Sequence, residues 1–147
     1  MGDTIKTLPR AVLDTNVLVS ALRSNRGASF ALLLRLAEGE FKPSVSVPLV
    51  LEYEDALTRQ VVTKQVTEKA VLDILDYLCS VSEHHKIHYL WRPHLRDPKD
   101  DMVLELALAA QCDYIVTHNL ADFKISTQGI LRVVTPAEFL RILERRQ

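Results

Sequence analysis

The sequence is poor in three features, and each one limits the class of protein it can encode. It has only two cysteines, almost no net charge, and no apolar run near the ~18 residues that a transmembrane helix needs. Cys79 and Cys112 do not lie at a metal-ligand spacing, so we expect buried thiols in a reducing compartment rather than a disulfide. The first ten residues lack the apolar segment of a signal peptide. The sequence therefore predicts a cytoplasmic protein with no membrane association.

The balance of charge argues against a surface that binds polyanions as a whole. There are 18 basic and 19 acidic residues, which gives a formal net charge of −1 at pH 7. A protein of this charge that handles nucleic acid needs local basic patches or bound metal cations.

Apolar residues make up 48% of the sequence and fall into short strands that alternate with longer helices. No repeat, low-complexity tract or linker interrupts this pattern, so we expect one domain over 1–147 with a flexible N-terminus over 1–9. The alternation predicts an α/β fold with a central, mostly parallel sheet flanked by helices. Strands are predicted at 10–15, 42–48, 87–91, 113–119 and 131–135. Helices are predicted at 17–24, 29–41, 49–60, 66–82, 100–112 and from Pro136 onward, with a short turn or helix at 120–124.

Local signals indicate where some helices begin and end. Asn16 is suited to cap the first helix, and Thr67 the fourth, because their side-chain oxygens can accept hydrogen bonds from free backbone N–H groups. Gly39 is suited to close the second helix, and Pro136 fits a first helical turn.

Acidic residues cluster where the predicted strands end, which is where parallel sheets bind ligands. Carboxylates a few ångströms apart repel one another, and a hard divalent cation removes that penalty. Oxygen ligands suit Mg²⁺ or Mn²⁺ better than zinc, and Mg²⁺ completes its shell with waters and phosphates. The pattern therefore favours a metal site for phosphodiester chemistry. The acids concerned are Asp14, Glu52, Asp97, Asp100, Asp101 and Asp122.

Each of these acids also has an ordinary structural explanation. Acids at helix N-termini complement the helix dipole, which would account for the DPKDD segment by itself. Glu52 could pair with a basic neighbour on the surface. Asp14 fits such explanations least, because it stands between an apolar strand and the following helix. The joint occurrence of four acid sources favours the metal site.

Four segments together resemble the PIN domain, a metal-dependent nuclease fold found in many toxins of toxin–antitoxin pairs. They are VLDTNVLVSAL, SVPLVLEYEDAL, RDPKDDMVLELALAAQCDYIVTHNLADF and VVTPAEFL, and the similarity runs from about Arg10 to the last helix. The resemblance implies an Mg²⁺- or Mn²⁺-dependent endoribonuclease in which a metal-activated water attacks the phosphorus and leaves a 5′-phosphate and a 3′-hydroxyl. It also implies an RNA substrate, a small antitoxin protein as partner, and a homodimer.

The acidic positions of the family match this chain one residue at a time. Asp14 matches the first metal-binding acid, and Glu52 matches the second, on the helix after the second strand. Asp100 matches the third, with Asp101 as a close rival. The resemblance therefore implies that these residues hold the metal and carry the catalysis.

The fourth acidic position departs from the family. Many members have Thr-x-Asp after the late strand, whereas this chain has Thr117, His118 and Asn119. Asn119 carries no charge, so the fourth acidic role is assigned to Asp122, with Asn119 as a residue that holds a metal-bound water. One metal site is therefore better supported than two.

Other residues are given supporting roles by the same resemblance. Thr15, Asn16 and Thr117 resemble the polar residues that orient the metal ligands. Basic residues near the expected mouth of the site could bind the RNA backbone, although a solvated surface charge is the simpler explanation for each one alone. These basic residues are Arg23, Arg26, Arg96, Lys99 and Lys124.

Two other functions compete with a nuclease. Because Asn119 replaces an acid, the chain could be a PIN-type binding module for RNA or protein with weak or no activity. A phosphoacceptor of the receiver class also gathers acids and Mg²⁺ at strand ends, but it needs paired acids at the first strand and a lysine ending a late one.

A zinc site at His84 and His88 lacks the partner pattern of a zinc hydrolase, so a surface histidine cluster is the better interpretation.

Overall fold

The computed structural model describes residues 7–63, 66–87, 98–123 and 131–146. The strands of this part of the chain are β1 (Arg10–Leu13), β2 (Lys42–Val45), β3 (Glu83–His84), β4 (Tyr114–Val116) and β5 (Arg132–Val134). They form one sheet in the order β3-β2-β1-β4-β5, and every neighbouring pair is parallel.

Six α-helices flank this sheet within the described residues. They are α1 (Thr15–Arg23), α2 (Ala28–Ala37), α3 (Val47–Val62), α4 (Glu68–Val81), α5 (Pro98–Ala109) and α6 (Pro136–Arg145), and a short 3-10 helix spans Leu120–Phe123. The predicted α/β class with a parallel sheet is confirmed. Among the described helices, none combines the length and the apolar character needed to cross a bilayer.

The central strands β1 and β4 are short, mostly apolar runs because the sheet is covered on both faces. In β1 the successive residues Ala11, Val12 and Leu13 are at most 1% exposed, although their side chains point alternately to opposite faces. Beside the sheet, the rings of Phe41 and Phe139 meet edge to face with their centroids 5.1 Å apart. Both rings belong to the hydrophobic core.

The helix ends follow mostly from local signals. Thr67 caps α4 as predicted, because its hydroxyl accepts a hydrogen bond from the Ala70 N–H at 3.1 Å. Gly39 follows α2 with a φ of 74°, a conformation that favours glycine. Thr135 and Glu138 form a reciprocal capping box at the start of α6.

The structure contains one strand that the sequence analysis did not predict. Of the predicted strand at 87–91, residues 88–91 lie outside the described residues, and the observed β3 is Glu83–His84. Glu83 pairs with Ser44 of β2 and its carboxylate lies 2.8 Å from the Arg10 guanidinium. Because His84 lies in a strand, it is not on a helix face, as a zinc site shared with His88 at helical spacing would require.

Both cysteines are free thiols. Cys112 is buried, whereas Cys79 is only half-buried, which corrects the expectation that both are buried. Burial is the main cause that raises the pKa of both thiols.

The strand order reverses between β1 and β4. From β1 the chain proceeds to β2 and β3 on one side, and it then returns to β4 and β5 on the other side. Open α/β sheets bind ligands at the carboxyl ends of the strands, at such a switch point. Asp14 directly follows β1 and Thr117 directly follows β4, so these two residues meet there.

Candidate active site

Asp14 occupies the cap position of α1, where its backbone is extended (φ −66°, ψ 149°). Its carboxylate accepts a hydrogen bond from the Thr15 N–H at 2.8 Å, from the Thr117 hydroxyl at 2.7 Å and from the Asn16 amide at 3.2 Å. The residue is only 8% exposed, and a carboxylate so far removed from water needs such donors. These donors on three residues restrict it to one orientation.

Asn16 does not cap α1, contrary to the prediction. The helix begins at Thr15, so Asp14 takes the cap position and Asn16 lies inside the first turn. Its side chain instead spans the two strand ends, with Nδ2 3.3 Å from Thr117 Oγ1 and Oδ1 accepting from the His118 N–H at 3.2 Å. Asn16 therefore connects the ends of β1 and β4.

Thr117 joins Asp14 to the loop that follows β4. It is fully buried, and its Oγ1 donates to Asp14 while accepting from the Asn119 N–H at 3.0 Å. The Asn119 carbonyl in turn accepts from the Asp122 N–H at 3.0 Å. This tight turn leads into the 3-10 helix and brings Asp122 back toward Asp14.

A cavity of about 620 Å³ opens at this end of the sheet. Its acidic lining residues are Asp14, Glu52, Asp100 and Asp122, which are the four acids expected to carry the catalysis. Its other lining residues are Thr15, Asn16, Val19, Ser20, Arg23, Ser24, Lys99 and Asn119. The side chains are contributed by α1, α3, α5 and the loop after β4, so elements far apart in sequence converge on one space.

The two neighbouring acids of α5 differ in their surroundings. Asp100 lines the cavity, whereas Asp101 is buried and does not line it. This difference favours Asp100 over Asp101 as the acid that a ligand in the cavity would meet.

The predicted basic residues divide in the same way. Arg23 and Lys99 line the cavity, and Arg26 is exposed but does not line it. Arg96 and Lys124 lie outside the described residues, as does Asp97.

Glu52 lies between two basic side chains. Its Oε1 is 3.3 Å from Lys99 Nζ and 4.0 Å from Arg59 Nη2, and its side chain is 14% exposed. Arg59 also lies 2.9 Å from Asp55. The sequence analysis did not include Arg59, although it stands about two helical turns after Glu52 on the same face of α3.

Tyr53 connects α3 to the strand that precedes Asp14. It is 1% exposed, and its hydroxyl donates a hydrogen bond to the carbonyl of Leu13, the residue before Asp14. Burial, and to a lesser degree the negative charge of Asp14, raise the pKa of Tyr53 well above its ordinary value of 10.0. The phenol therefore remains a donor at neutral pH. Tyr53 was also missed, because an aromatic residue in an amphipathic helix is usually explained by core packing.

His118 connects the loop after β4 to α2. Its Nε2 lies 2.8 Å from the hydroxyl of Ser29, a buried residue of α2. Together with the bond from the His118 N–H to Asn16, this contact holds the loop between α1 and α2.

The donors on the cavity suit a hard divalent cation. They are carboxylate, amide and hydroxyl oxygens, which Mg²⁺ and Mn²⁺ prefer. In residues 7–63, 66–87, 98–123 and 131–146, no three side chains of His, Cys, Asp or Glu form a ready ligand group. Mg²⁺ commonly takes only one or two carboxylates, since waters and substrate phosphates complete its shell. The donor set therefore fits a cation held by Asp14 and one further acid.

Comparison with known proteins identifies the family and the fold. A family model described as the PIN domain matches residues 10–121. Comparison with curated protein sequences returns no match. A chain in the crystal structure of VapBC2 from Rickettsia felis, bound to a DNA fragment from its promoter, matches this structure with a TM-score of 0.57 at 17% identity. That match covers 86% of this chain and 98% of the other, and it shows a shared fold.

Proposed function

The chain belongs to the PIN domain family, and from this premise we propose that it is an endoribonuclease that requires Mg²⁺ or Mn²⁺. The observation that carries the proposal is the cavity at the β1–β4 switch point, which is lined by Asp14, Glu52, Asp100 and Asp122. Four carboxylates around one space are unfavourable unless positive charge joins them.

Asp14 is the residue best prepared to hold the cation. Thr117, Asn16 and the Thr15 N–H fix its carboxylate before any ligand arrives, so no side-chain rotation is needed on binding. When bound, the cation would lower the pKa of a water and neutralise charge on the phosphate.

The remaining acids surround Asp14 on different elements. Asp100 and Asp122 approach from α5 and from the 3-10 helix, and either could supply the second carboxylate. Glu52, whose Oε1 lies 3.3 Å from Lys99 Nζ, could likewise bind the cation or accept a proton from an attacking water. Asn119 lines the same space and offers an amide for a water or a phosphate oxygen.

RNA would be held by local charge, because the net charge of −1 gives no general attraction for a polyanion. Arg23 and Lys99 line the cavity and are the first candidates for contacts with the phosphate backbone. Arg26, Arg96 and Lys124 remain proposed contacts with the RNA backbone.

We further propose that the chain is the toxin of a toxin–antitoxin pair, that it acts in the cytoplasm, and that a small antitoxin protein is its partner. The four segments that resemble PIN-domain toxins support this, as does the fold shared with a chain of VapBC2 from Rickettsia felis. Assembly as a homodimer is a prediction from the same resemblance.

One observation favours a second function. Asn119 lines the cavity at the position where the resemblance to the family implies an acid, so the fourth acid has to come from Asp122 instead. A PIN-type binding module with weak or no activity would tolerate this change.

An RNA cleavage assay separates the two functions. Purified protein is incubated with a mixture of unstructured and structured RNAs in Mg²⁺, in Mn²⁺ and in EDTA, beside Asp14→Asn and a control variant, Asp76→Asn. Asp76 is exposed on α4, so its variant should cleave like the wild type. We expect cleavage to leave 5′-phosphates, to stop in EDTA and to fall at least about 100-fold in Asp14→Asn.

Each other result has a defined meaning. Cleavage that persists in EDTA, or that is undiminished in Asp14→Asn, contradicts a metal-dependent nuclease. Tight RNA binding without cleavage in any of these conditions supports the binding module instead.

A further inference from the structure

Lys99 is held against one of the acids that a cation in the cavity would meet. Its ammonium lies 3.3 Å from Oε1 of Glu52, and both residues line the cavity. The Lys99 side chain is 53% exposed, whereas that of Glu52 is 14% exposed. The lysine is therefore the more solvent-exposed partner of this pair.

Arg59 is a less direct partner of the same oxygen. It lies 4.0 Å from Glu52 but 2.9 Å from Asp55, and it does not line the cavity. Of these two cations, Lys99 is thus the one that a ligand in the cavity would displace.

A divalent cation and the Lys99 ammonium would compete for Glu52. Two positive charges within a few ångströms of one carboxylate repel each other, and the divalent ion has twice the charge of the ammonium. A lysine has a compact charge on a flexible stem, so it can turn away without moving the backbone. When RNA occupies this cavity, a phosphate of the substrate is a negative group that the released ammonium could contact.

We propose that Lys99 exchanges partners: it neutralises Glu52 when no cation is bound, and it contacts an RNA phosphate when a divalent cation reaches Glu52. This inference rests on the proposed nuclease function. Lys99 is then a residue that restrains cation binding in the free protein and contributes to RNA binding in the loaded protein.

The test compares Lys99→Met with the wild type and with Lys69→Met. Methionine keeps most of the stem and removes the charge, and Lys99→Gln serves as a second variant if the first folds poorly. Lys69 is a suitable control because it also pairs with an acid, Asp73 at 2.7 Å, on the exposed face of α4. Binding of Mn²⁺ without RNA is followed by electron paramagnetic resonance of the free ion. Binding of a fluorescent single-stranded RNA is followed by fluorescence anisotropy at several salt concentrations, with Ca²⁺ as the divalent cation in place of Mn²⁺.

Two changes are expected together in Lys99→Met. Its affinity for Mn²⁺ should rise about fivefold, because a competing charge is gone. Its affinity for RNA should fall, and the slope of log Kd against log salt should decrease by about 0.7, which corresponds to one lost contact with a single-stranded phosphate backbone. Lys69→Met should match the wild type in both measurements.

Unchanged or weaker Mn²⁺ binding in Lys99→Met overturns the inference, and so does an unchanged salt slope. These failures differ from failure of the proposed function. If the wild type binds Mn²⁺ and cleaves RNA while Lys99→Met behaves like it, only the exchange is wrong. If the wild type binds no Mn²⁺, both the exchange and the metal-dependent nuclease are wrong.

Discussion

The hydroxyl of Tyr53 donates a hydrogen bond to the carbonyl of Leu13, and this bond connects α3 to the last residue of β1. Each partner is the chain neighbour of a cavity acid, since Glu52 precedes Tyr53 and Asp14 follows Leu13. One buried bond therefore fixes the position of one acid relative to the other.

Replacing Tyr53 by phenylalanine should loosen this connection without emptying the core. Because the ring remains and only a buried hydroxyl is lost, we expect the free energy of unfolding to fall by about 1–2 kcal/mol in a urea titration. Affinity for Mn²⁺ should also fall, since the two acids are less well positioned. The control is Tyr77→Phe on the exposed face of α4, where Tyr77 is 40% exposed. Equal losses of stability in the two variants would contradict this role of Tyr53.

Thr117 should be the most sensitive small residue of the site. Its Oγ1 donates to Asp14 and accepts from the Asn119 N–H, and it is fully buried. Thr117→Val keeps the shape but leaves these polar partners unsatisfied, so unfolding free energy should fall by about 2–3 kcal/mol. Thr117→Ser keeps the hydroxyl and should recover most of that loss.

The control for this prediction is Thr63→Val. Thr63 is exposed at the end of α3, where its hydroxyl donates to the Gln60 carbonyl at 2.9 Å. Water can replace that bond, so the cost should stay below about 0.5 kcal/mol. Comparable losses at the two positions would mean that Thr117 is not held in a network.

The sequence was sufficient to predict the fold class and the residues that follow β1 and β4, because apolar strands and their flanking polar residues are local patterns. It was insufficient to decide which residue caps α1. Asp14, Thr15 and Asn16 are all good capping residues. The choice is made by a distant contact, since the Asp14 N–H donates to the Val116 carbonyl of β4 at 2.9 Å and keeps Asp14 extended.

Other parts of the fold and of the site depend on contacts with no sequence signature. β3 contains one glutamate and one histidine, and pairing with β2 rather than intrinsic propensity makes it a strand. The bond from Tyr53 to Leu13 joins residues on different elements. In contrast, the pairing of Arg59 with Asp55 follows the i,i+4 spacing of a helix and was predictable.

The capping box of α6 should make stability depend on pH in the acid range. The Thr135 N–H, followed by the Thr135 hydroxyl, lowers the pKa of Glu138 from its ordinary value of 4.5. A carboxylate with a lowered pKa in the folded state stabilises the protein above the ordinary pKa, and this contribution is lost as pH falls through the folded value.

Glu138→Gln isolates the charge, because glutamine keeps an oxygen that accepts from the Thr135 N–H. Since Glu138 is only half-buried and solvent screens it, the variant should be less stable than the wild type by about 0.5 kcal/mol near pH 7. The difference should shrink as pH falls through the lowered pKa of Glu138, and it should vanish once that carboxyl is protonated in the folded protein. Urea titrations at pH 7 and at successively lower pH measure it, and a gap that does not shrink in acid would show that the charge is not the cause.

Cation binding at Asp14 should appear as added stability, independently of any cleavage. A ligand that binds only the folded state stabilises it by about 2.7 kcal/mol at a concentration 100 times its Kd. Thermal unfolding of the wild type should therefore move to higher temperature with Mn²⁺ and return to its original value with EDTA. The control variant Asp76→Asn should show the same shift as the wild type. Asp14→Asn should show little shift, because an acid that three residues orient toward the cavity has lost its charge. A full Mn²⁺ shift in Asp14→Asn would place the cation on other acids and remove Asp14 from the centre of the site.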